Sequence, residues 1–459
     1  MDAFTRELME RSPLAGSVLE LFNFVFDEQL LGSIWQQHRG RCYEDVLKFP
    51  DFLRLVRDAL LSHGGSAHSL FVQLEQDEAH PIDESNFYRK LARTPVQISR
   101  GLLRDCTRRL QELMPVDAAA SPPCFSAYRL VIGDGKKIKN AHKRLAPTRG
   151  YSGKLLGAKA LVAVDARSGL ALAMNDSIDG MSNDVPLVPG LMDQLRQLLA
   201  GPILSVWDRQ FDDVLTMRHL CKREGDGFVV RAKQSHACFA VESSVESIDG
   251  QGRRVLDQVG VLGRGKRTMR LRRITLWRGP DEEDVVLLTN LLDRQSFCAA
   301  DVLALYKQRW GIEQVFQQVT QTFSLEHLIG CQPRAVLFQF SFCLLLYNLM
   351  QVLKAYVAED GKVLAGVVSM YYLFNDVRRE LSAWAYHTDG SWPRSRRDPL
   401  QMRSRLRELL QDSWNAVAYT KASDKKPRPK PKPKPLLHGG HTSVQRLLEG
   451  KVRLAKTTT

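Results

Sequence analysis

The chain has 459 residues, of which 44% are hydrophobic and 25% are charged. A chain of this length and composition builds its own cores and needs no disulfides or structural metal. The eight cysteines show no CxxC pair and no metal-ligand spacing with histidine, which argues against a disulfide framework or a zinc site and predicts reduced thiols in the cytoplasm. The formal net charge of +14 makes nucleic acid the first partner to expect, although excess lysine and arginine can also serve solubility alone.

Neither a signal peptide nor a membrane span is expected. The first 16 residues contain early acidic residues and no apolar core. The most apolar stretch, residues 335–357, is interrupted by glutamine, serine, asparagine and lysine. Because polar groups are costly in lipid, we predict a buried helix there.

Residues 1–122 show apolar residues at helical spacing. Within them, residues 81–95 predict a short helix that Asp83 or Ser85 caps and Pro95 ends. Another short helix is predicted at 67–75, so the pair suits a helix-turn-helix that contacts DNA. Two surface helices of a bundle are the alternative. The side chains expected to face outward and contact DNA are Asn86, Arg89, Lys90 and Arg93.

The periodicity changes after residue 122. Short apolar runs alternate with helical segments up to residue 233, which predicts an α/β sheet covered by helices. Residues 234–298 read as a β-rich insertion because basic and apolar residues alternate there. The pattern is helical again from 299 to 420. The last segment, 421–459, begins with alternating lysine and proline, holds +6 of the net charge within 421–435, and predicts an extended basic tail.

Two aspartates follow apolar runs that we predict to be strands. Asp134 comes after YRLVIG, and Asp208 comes after ILSVW. Strand ends are where an α/β sheet presents functional side chains, and two carboxylates close together favour a shared divalent cation such as magnesium or manganese. The alternative is that each aspartate only opens a turn.

A third carboxylate lies in the segment YKQRWGIEQVFQQVT at 306–320. On a helix, Tyr306, Arg309 and Glu313 are spaced i, i+3 and i+7 and share one face. A carboxylate, a guanidinium and a phenol on one face suit a phosphate site. An Arg–Glu pair on a helix surface is the alternative.

This segment resembles the Tyr-x2-Arg-x3-Glu-x6-Lys signature of DDE transposases of bacterial insertion sequences, of the IS-four type. The IGDG around Asp134, the VWDRQF around Asp208, LLTNL at 287–291 and YRKLARTP in the N-terminal region are similar to that family as well. Together the pieces cover about residues 60–350 in the family's order.

The resemblance implies an RNase H-like mixed sheet with a β-rich insertion, flanked by helical N- and C-terminal regions. It implies that Asp134, Asp208 and Glu313 are catalytic metal ligands for Mg²⁺, with two ions and Mn²⁺ as a substitute. Tyr306 and Arg309 then contact DNA. The expected activity is cut-and-paste transposition, in which a homodimer on DNA binds terminal inverted repeats, cleaves strands and joins 3′ ends to target DNA. The expected regions are an N-terminal DNA-binding region (1–122), two core parts (123–233 and 299–352) around the insertion (234–298), a C-terminal region for dimerisation (353–420) and the tail (421–459).

One position departs from the signature: Thr320 stands where the family has lysine. This departure keeps two alternatives open, an inactive relative that only occupies repeats and a general nuclease on the same core. If a hairpin intermediate forms, Trp277 is the candidate aromatic for stacking on a flipped base, against a partly buried strand residue. Other nearby acids are expected to be turn or cap residues: Asp165, Asp176, Asp184, Asp212 and Asp213.

Overall fold

A computed structural model describes residues 7–8, 10–42, 46–76, 82–115, 122–139, 144–151, 153–233, 239–265, 267–279, 282–322, 325, 329–387, 397–420 and 440–452. The Lys/Pro stretch from 421 to 435, predicted to be an extended basic tail, lies outside these residues.

The N-terminal region is helical, as predicted. Its helices are α1 (Pro13–Val25), α2 (Glu28–His38), α3 (Phe49–Leu61), α4 (Ala67–Gln76), α5 (Glu84–Arg93) and α6 (Val96–Gln111). Asp83 caps α5, since its side chain accepts a hydrogen bond from the Ser85 N–H at 3.0 Å. The rings of Phe52 and Phe338 lie 5.1 Å apart, which joins this region to a core helix of the second half of the chain.

The core sheet has strands β1 (Arg129–Lys139), β2 (Lys154–Asp165), β3 (Ala171–Ser177), β4 (Ile203–Trp207) and β5 (Gly227–Arg231). They lie in the order β3-β2-β1-β4-β5. The first three strands pair antiparallel, and β4 and β5 run parallel to β1. Helices α7 (Val188–Leu198) and α8 (Val214–Leu220) connect β3 to β4 and β4 to β5. This is the RNase H-like arrangement.

The insertion forms an antiparallel meander of β6 (Phe239–Ile248), β7 (Arg254–Arg264), β8 (Arg267–Leu276) and β9 (Val285–Thr289). It is not a separate unit, because β9 pairs antiparallel with β5 and extends the core sheet. Strand β9 has β5 on one edge and β8 on the other, and its Leu287 and Leu288 are fully buried. Within the meander, Arg272 forms a buried bidentate ion pair with Asp257, with N–O distances of 2.9 and 2.6 Å.

The helices that follow are α9 (Ala299–Lys307), α10 (Trp310–Gln321), α11 (Pro333–Asp360), α12 (Met370–His387), α13 (Pro399–Leu409) and α14 (Ala416–Tyr419). The expected boundary at residue 352 falls inside α11, which is continuous. In the described part of the chain, α11 is the one helix long and apolar enough to cross a membrane, and 94% of its most apolar window is buried inside the fold. Its Asn348 bonds Ala171 and Thr107, as a core helix does.

The chain returns to the sheet after the Lys/Pro stretch. Strand β10 (His441–Ser443) pairs parallel with the start of β2, and α15 (Val444–Leu448) follows directly. Val444 and Leu447 are buried, and Arg446 Nε lies 2.8 Å from Asp179 Oδ2. Residues 440–452 are therefore part of the folded core, whereas the sequence predicted a tail through residue 459.

Candidate active site

The first two carboxylates lie side by side because of the strand register. The parallel ladder between β1 and β4 ends at Ile132 opposite Val206, and Asp134 and Asp208 are each two residues further on. Asp208 directly follows β4, as expected. Asp134 lies inside β1 rather than past its end, because β1 continues to Lys139 through its pairing with β2.

Glycine on either side of Asp134 allows close packing at this point. A β-carbon on Gly133 would overlap the buried ring of Trp207, and one on Gly135 would overlap the carboxyl group of Asp184. The indole of Trp207 thus lies directly against β1, next to the residue that precedes Asp134. The IGDG sequence is explained by this packing.

The third carboxylate comes from the segment after the insertion, with one correction. Tyr306 belongs to α9 and Glu313 to α10, so they do not lie on one continuous helix. Arg309 lies at the junction, where the N–H groups of Arg309 and Ile312 bond the carbonyls three residues earlier, at 3.1 and 3.2 Å. These tighter turns interrupt the helix, yet Arg309 stays 3.0 Å from Glu313 and its guanidinium lies 6.0 Å from the Tyr306 ring centre.

Arg309 interacts with all three candidate acids. Its Nη2 atom lies 3.0 Å from Glu313 Oε1 and its Nη1 atom 3.7 Å from Asp134 Oδ2. The side chain is only 8% exposed. Burial opposes its charge, but the phenol of Tyr306 and the three carboxylates together raise the pKa of Arg309. Asp134, Asp208 and Glu313 therefore share the field of one buried guanidinium.

The surroundings of Asp134 disfavour the ionised form of its carboxyl group. Burial raises the pKa of Asp134 to about 6; the Gly135 N–H and Arg309 oppose this shift, while Asp208 and Asp184 add to it. Burial also raises the pKa of Tyr306. Carboxylates that repel one another in a half-buried site are suited to a cation with a high charge.

Asp184 is a site residue that sequence reasoning missed. Its Oδ1 atom lies 2.8 Å from Lys159 Nζ, and its Oδ2 atom accepts a hydrogen bond from Gln210 Nε2 at 2.8 Å. Both charged side chains are about 95% buried. Asp184 thus connects Gly135, beside Asp134, with Gln210, two residues after Asp208. Its place in a glycine-containing loop had predicted a turn residue.

The other competing acids are structural, although two play a different part than expected. Asp165 accepts bonds from the next turn, and Asp213 caps α8. Asp212 does not cap α8; it accepts from the Lys233 N–H at 2.6 Å. Asp176 is buried and bonds Arg100 of α6.

The turn between β8 and β9 reaches the acidic site. Its Glu283 lies 3.4 Å from Arg209, which follows Asp208, and 2.9 Å from Arg231 at the end of β5. Trp277 begins the same turn and is half-buried, with the Arg254 guanidinium 4.5 Å from its ring centre. Another tryptophan, Trp310, is 63% exposed, and the guanidinium of Arg309 lies 5.7 Å from its ring. Sequence reasoning had not singled out Trp310, although it belongs to the signature segment.

The four residues predicted to contact DNA from α5 line a groove of about 370 Å³ with Trp35 at its base. Arg89 and Arg93 are exposed, and Asn86 is half-buried. Lys90 does not face outward: its Nζ atom bonds the Leu47 carbonyl and lies 4.5 Å from the Trp35 ring centre. The groove lies apart in sequence from the acids.

Thr320 does not present a charge at the family's lysine position, and its hydroxyl donates to the Phe316 carbonyl at 2.7 Å. A different amine lies next to this helix. Lys136, two residues after Asp134, places its Nζ atom 5.4 Å from the Phe316 ring centre. Positive charge is therefore present beside the helix, from β1 instead of α10.

Oxygen donors of this kind match the preference of hard divalent cations. Within the residues that the structure describes, however, no group of three or more acidic, histidine or cysteine side chains is arranged as a finished metal centre. The carboxylates face Arg309 instead. The donor set thus fits a divalent cation chemically, and binding one requires Arg309 to give up part of its contact with Glu313 or Asp134.

The fold and this site define the class: an RNase H-like protein with three carboxylates gathered at the edge of the sheet. The family model described as "Transposase DDE domain" matches residues 125–349, so this region of the chain is similar to the DDE domain of transposases. That family uses divalent metal ions. Assignment to the IS-four type rests on the signature segment alone.

Individual proteins are also similar to the chain. One, from Sinorhizobium fredii and named "Putative transposase y4zB", is 32% identical over 130 residues, which are 27% of this chain and 35% of that relative. The chain thus matches about a third of this relative's length. A solved piggyBac transposase synaptic complex with hairpin DNA is 13% identical, with 87% of this chain and 86% of that chain covered and a TM-score of 0.35. This likeness is too distant to support an argument about function.

Proposed function

We propose that the chain is an active DNA transposase that binds the inverted repeats at the ends of its element, cleaves them and joins the 3′ ends to target DNA. The observation that supports this most is the gathering of Asp134, Asp208 and Glu313 around Arg309. Three carboxylates far apart in sequence surround one buried guanidinium, and the family model covers all three positions.

The residues that would hold divalent cations are Asp134, Asp208 and Glu313, and Mg²⁺ is the ion we propose, with two ions per site and Mn²⁺ as a substitute. A bound cation would lower the pKa of an attacking water and stabilise charge on the leaving oxygen. The chain itself supplies positioning. Arg309 and Tyr306 would hold the oxygens of the scissile phosphate.

DNA beyond the cut site would contact basic residues. Arg89 and Arg93 are exposed on α5, with Asn86 and Lys90 in the same groove, and they are suited to backbone phosphates. Lys136 provides a positive charge next to α10, which offsets the missing lysine at position 320.

Hairpin formation, if it occurs, needs an aromatic ring for a flipped base. Trp277 remains the proposed residue from the insertion, although the Arg254 guanidinium already lies against its ring. Trp310 presents more free surface beside Arg309, and an exposed indole next to a phosphate site favours base stacking.

We further propose that the protein works as a homodimer on DNA, in the bacterial cytoplasm and associated with the nucleoid. Large apolar side chains of the C-terminal region are exposed: Leu364 (78%), Tyr371 (57%), Tyr386 (85%) and Leu400 (73%). A surface on which such side chains lie together would suit a protein interface.

The experiment uses purified protein and duplex DNA from the two flanks of its coding region. We expect strand nicking at the repeats with Mg²⁺, none with a scrambled duplex, and none from Asp208→Asn. Metal-dependent nicking that persists in Asp208→Asn would remove Asp208 from the site. Equal cutting of repeat and scrambled DNA would identify a general nuclease instead.

A second candidate, a binding protein that only occupies repeats, is favoured by Thr320. It predicts a shift of repeat DNA by the wild-type protein and no cleavage with any divalent ion. Cleavage by the wild-type protein distinguishes the two, because an active enzyme cuts repeat DNA and a pure binder does not. Cleavage gained only in Thr320→Lys would identify the missing lysine as the cause of inactivity.

A further inference from the structure

A carboxylate of the insertion joins two arginines that flank the catalytic acids. Glu283, in the turn between β8 and β9, places Oε1 3.4 Å from Arg209 Nη1 and Oε2 2.9 Å from Arg231 Nη2. Arg209 is the residue after Asp208, and Arg231 ends β5, the strand beside β4. The two arginines lie at the ends of neighbouring core strands, and both contact the carboxylate of Glu283.

This pair lies at the same edge of the sheet as the active site. The charges of Arg231, Asp208 and Arg309 all act on the pKa of the Tyr306 phenol. Arg231 therefore lies near the candidate active site. Arg209 is 56% exposed and Glu283 is 42% exposed, whereas Arg231 is 22% exposed. A ligand arriving from solvent can therefore reach the position that the carboxylate holds.

We propose that Arg209 and Arg231 form a binding site for one backbone phosphate of DNA, and that Glu283 holds this site until DNA displaces it. The inference rests on the proposed function for the identity of the ligand. Guanidinium groups bind carboxylate and phosphate with the same paired geometry, so a phosphate can replace the carboxylate without rearranging the arginines.

The exchange is physically reasonable because the present contacts are weak. Exposed ion pairs contribute little to stability, so releasing Glu283 costs little. A DNA phosphate brings the same charge and the additional gain of counterion release. The insertion thus competes with DNA for a site next to the acids, which discourages binding by weaker anions.

The test measures binding of a fluorescein-labelled duplex of random sequence by anisotropy, without divalent ions and at several salt concentrations. Glu283→Gln removes the competing charge, and we expect affinity to rise about threefold, as the loss of two exposed pairs allows. The double variant Arg209→Gln/Arg231→Gln should bind more weakly, with a salt slope smaller by about 1.

Glu282→Gln is the matched control. Glu282 lies one residue earlier and is 62% exposed, but it pairs with Arg278 of its own turn at 3.1 Å. The substitution Glu282→Gln removes the same charge from the same turn but leaves the contacts of Arg209 and Arg231 in place. It should therefore raise the affinity for DNA far less than Glu283→Gln. The gain from Glu283→Gln should also vanish when both arginines are replaced by glutamine.

Equal effects of Glu282→Gln and Glu283→Gln would overturn the proposal, since they would indicate a general charge effect. Affinity that is unchanged in the arginine double variant would overturn it as well. Because binding is measured without metal, the result is independent of cleavage. If the protein cuts its repeats but the gain from Glu283→Gln does not depend on the two arginines, this inference alone is contradicted. If the gain depends on the arginines but the protein never cuts, the proposed activity alone is contradicted.

Discussion

Arg309 explains how three carboxylates can gather in a half-buried place before any cation binds. Like charges this close repel one another strongly in a medium less polar than water. A guanidinium 3.0 Å from Glu313 and 3.7 Å from Asp134 offsets that repulsion. Arg309 thus lowers the electrostatic cost of holding these carboxylates close together, and under the proposed function it would also contact the phosphate.

Asp184 supports this arrangement through a buried ion pair, and its substitution should destabilise the fold. In Asp184→Asn, Lys159 remains buried without its partner charge, so we expect the free energy of unfolding to fall by about 3–5 kcal/mol. Chemical denaturation measures this loss.

Asp193→Asn serves as the control, because Asp193 is 63% exposed and 3.6 Å from Arg196. It should cost less than about 1 kcal/mol. In the double variant Asp184→Asn/Lys159→Met much of the stability should return, since no unpaired charge stays buried. A double variant as unstable as Asp184→Asn would contradict the ion-pair account.

The three candidate acids could be proposed from the sequence, but several of their neighbours could not. Asp134 and Asp208 were candidates because each follows an apolar run, and Glu313 because of its signature segment. Asp184 and Glu283 could not be proposed, since their importance depends on contacts with Lys159 and the arginines that only the folded sheet creates. Lys90 was wrongly expected to face outward because helical periodicity does not reveal an aromatic ring on a neighbouring helix.

At the level of elements, the pairing of β1 with β4 positions the first two acids. The close approach depends on Gly133, against which the ring of Trp207 packs. Gly133→Ala should lower the free energy of unfolding by about 1–3 kcal/mol through overpacking, and it should reduce cleavage because Asp134 shifts relative to Asp208. Denaturant unfolding and a nicking assay measure the two effects.

Gly32→Ala is the control for that change, because Gly32 lies in α2 with open space around it. Alanine there should stabilise the protein by about 0.5–1 kcal/mol. Unchanged stability in Gly133→Ala would show that the indole does not press on β1.

The contact between α12 and α1 predicts a pH-dependent stability. Glu380 accepts a hydrogen bond from the Ala15 N–H at 2.9 Å, and burial raises the pKa of Glu380 to about 7, with a further contribution from Asp376. A raised carboxyl pKa means that protonation favours the folded state. This stabilisation is complete below the ordinary pKa of glutamate and is lost as the pH rises through about 7.

Glu380→Gln does not titrate, so it provides the reference. We expect the melting temperature of the wild-type protein to fall relative to Glu380→Gln between pH 5 and pH 8, as the carboxyl group ionises. Parallel melting curves over this range would contradict the raised pKa.

Most individual elements could be predicted from periodicity, including β4 and the strands on either side of Gly169. Their wider pairing could not. The sequence predicts a β-rich insertion but not its pairing with the core sheet, because its alternation says nothing about which edge β9 joins. The sequence wrongly predicts a tail at residues 440–452, because a three-residue strand next to a Lys/Pro stretch carries too little pattern to be recognised.

For the whole molecule, the proposed dimer predicts that the exposed apolar residues of the C-terminal region become buried. Leu364→Asp together with Tyr371→Asp places charge in that surface, and burying an unpaired charge is costly. We expect light scattering to show a dimer for the wild-type protein on DNA and a monomer for the variant. Leu215→Asp, at a 43% exposed position on α8, should leave the dimer intact, and a dimer in both variants would place the interface elsewhere.

Binding of Mn²⁺, followed by electron paramagnetic resonance, tests most directly whether the three acids act together. The wild-type protein should bind the ion, and Asp134→Asn, Asp208→Asn and Glu313→Gln should each weaken binding by more than about tenfold, since even changes behind a ligand cost that much. Asp213→Asn, which alters only the cap of α8, should bind as the wild type does. Mn²⁺ affinity that is unchanged in all three acid variants would contradict the account.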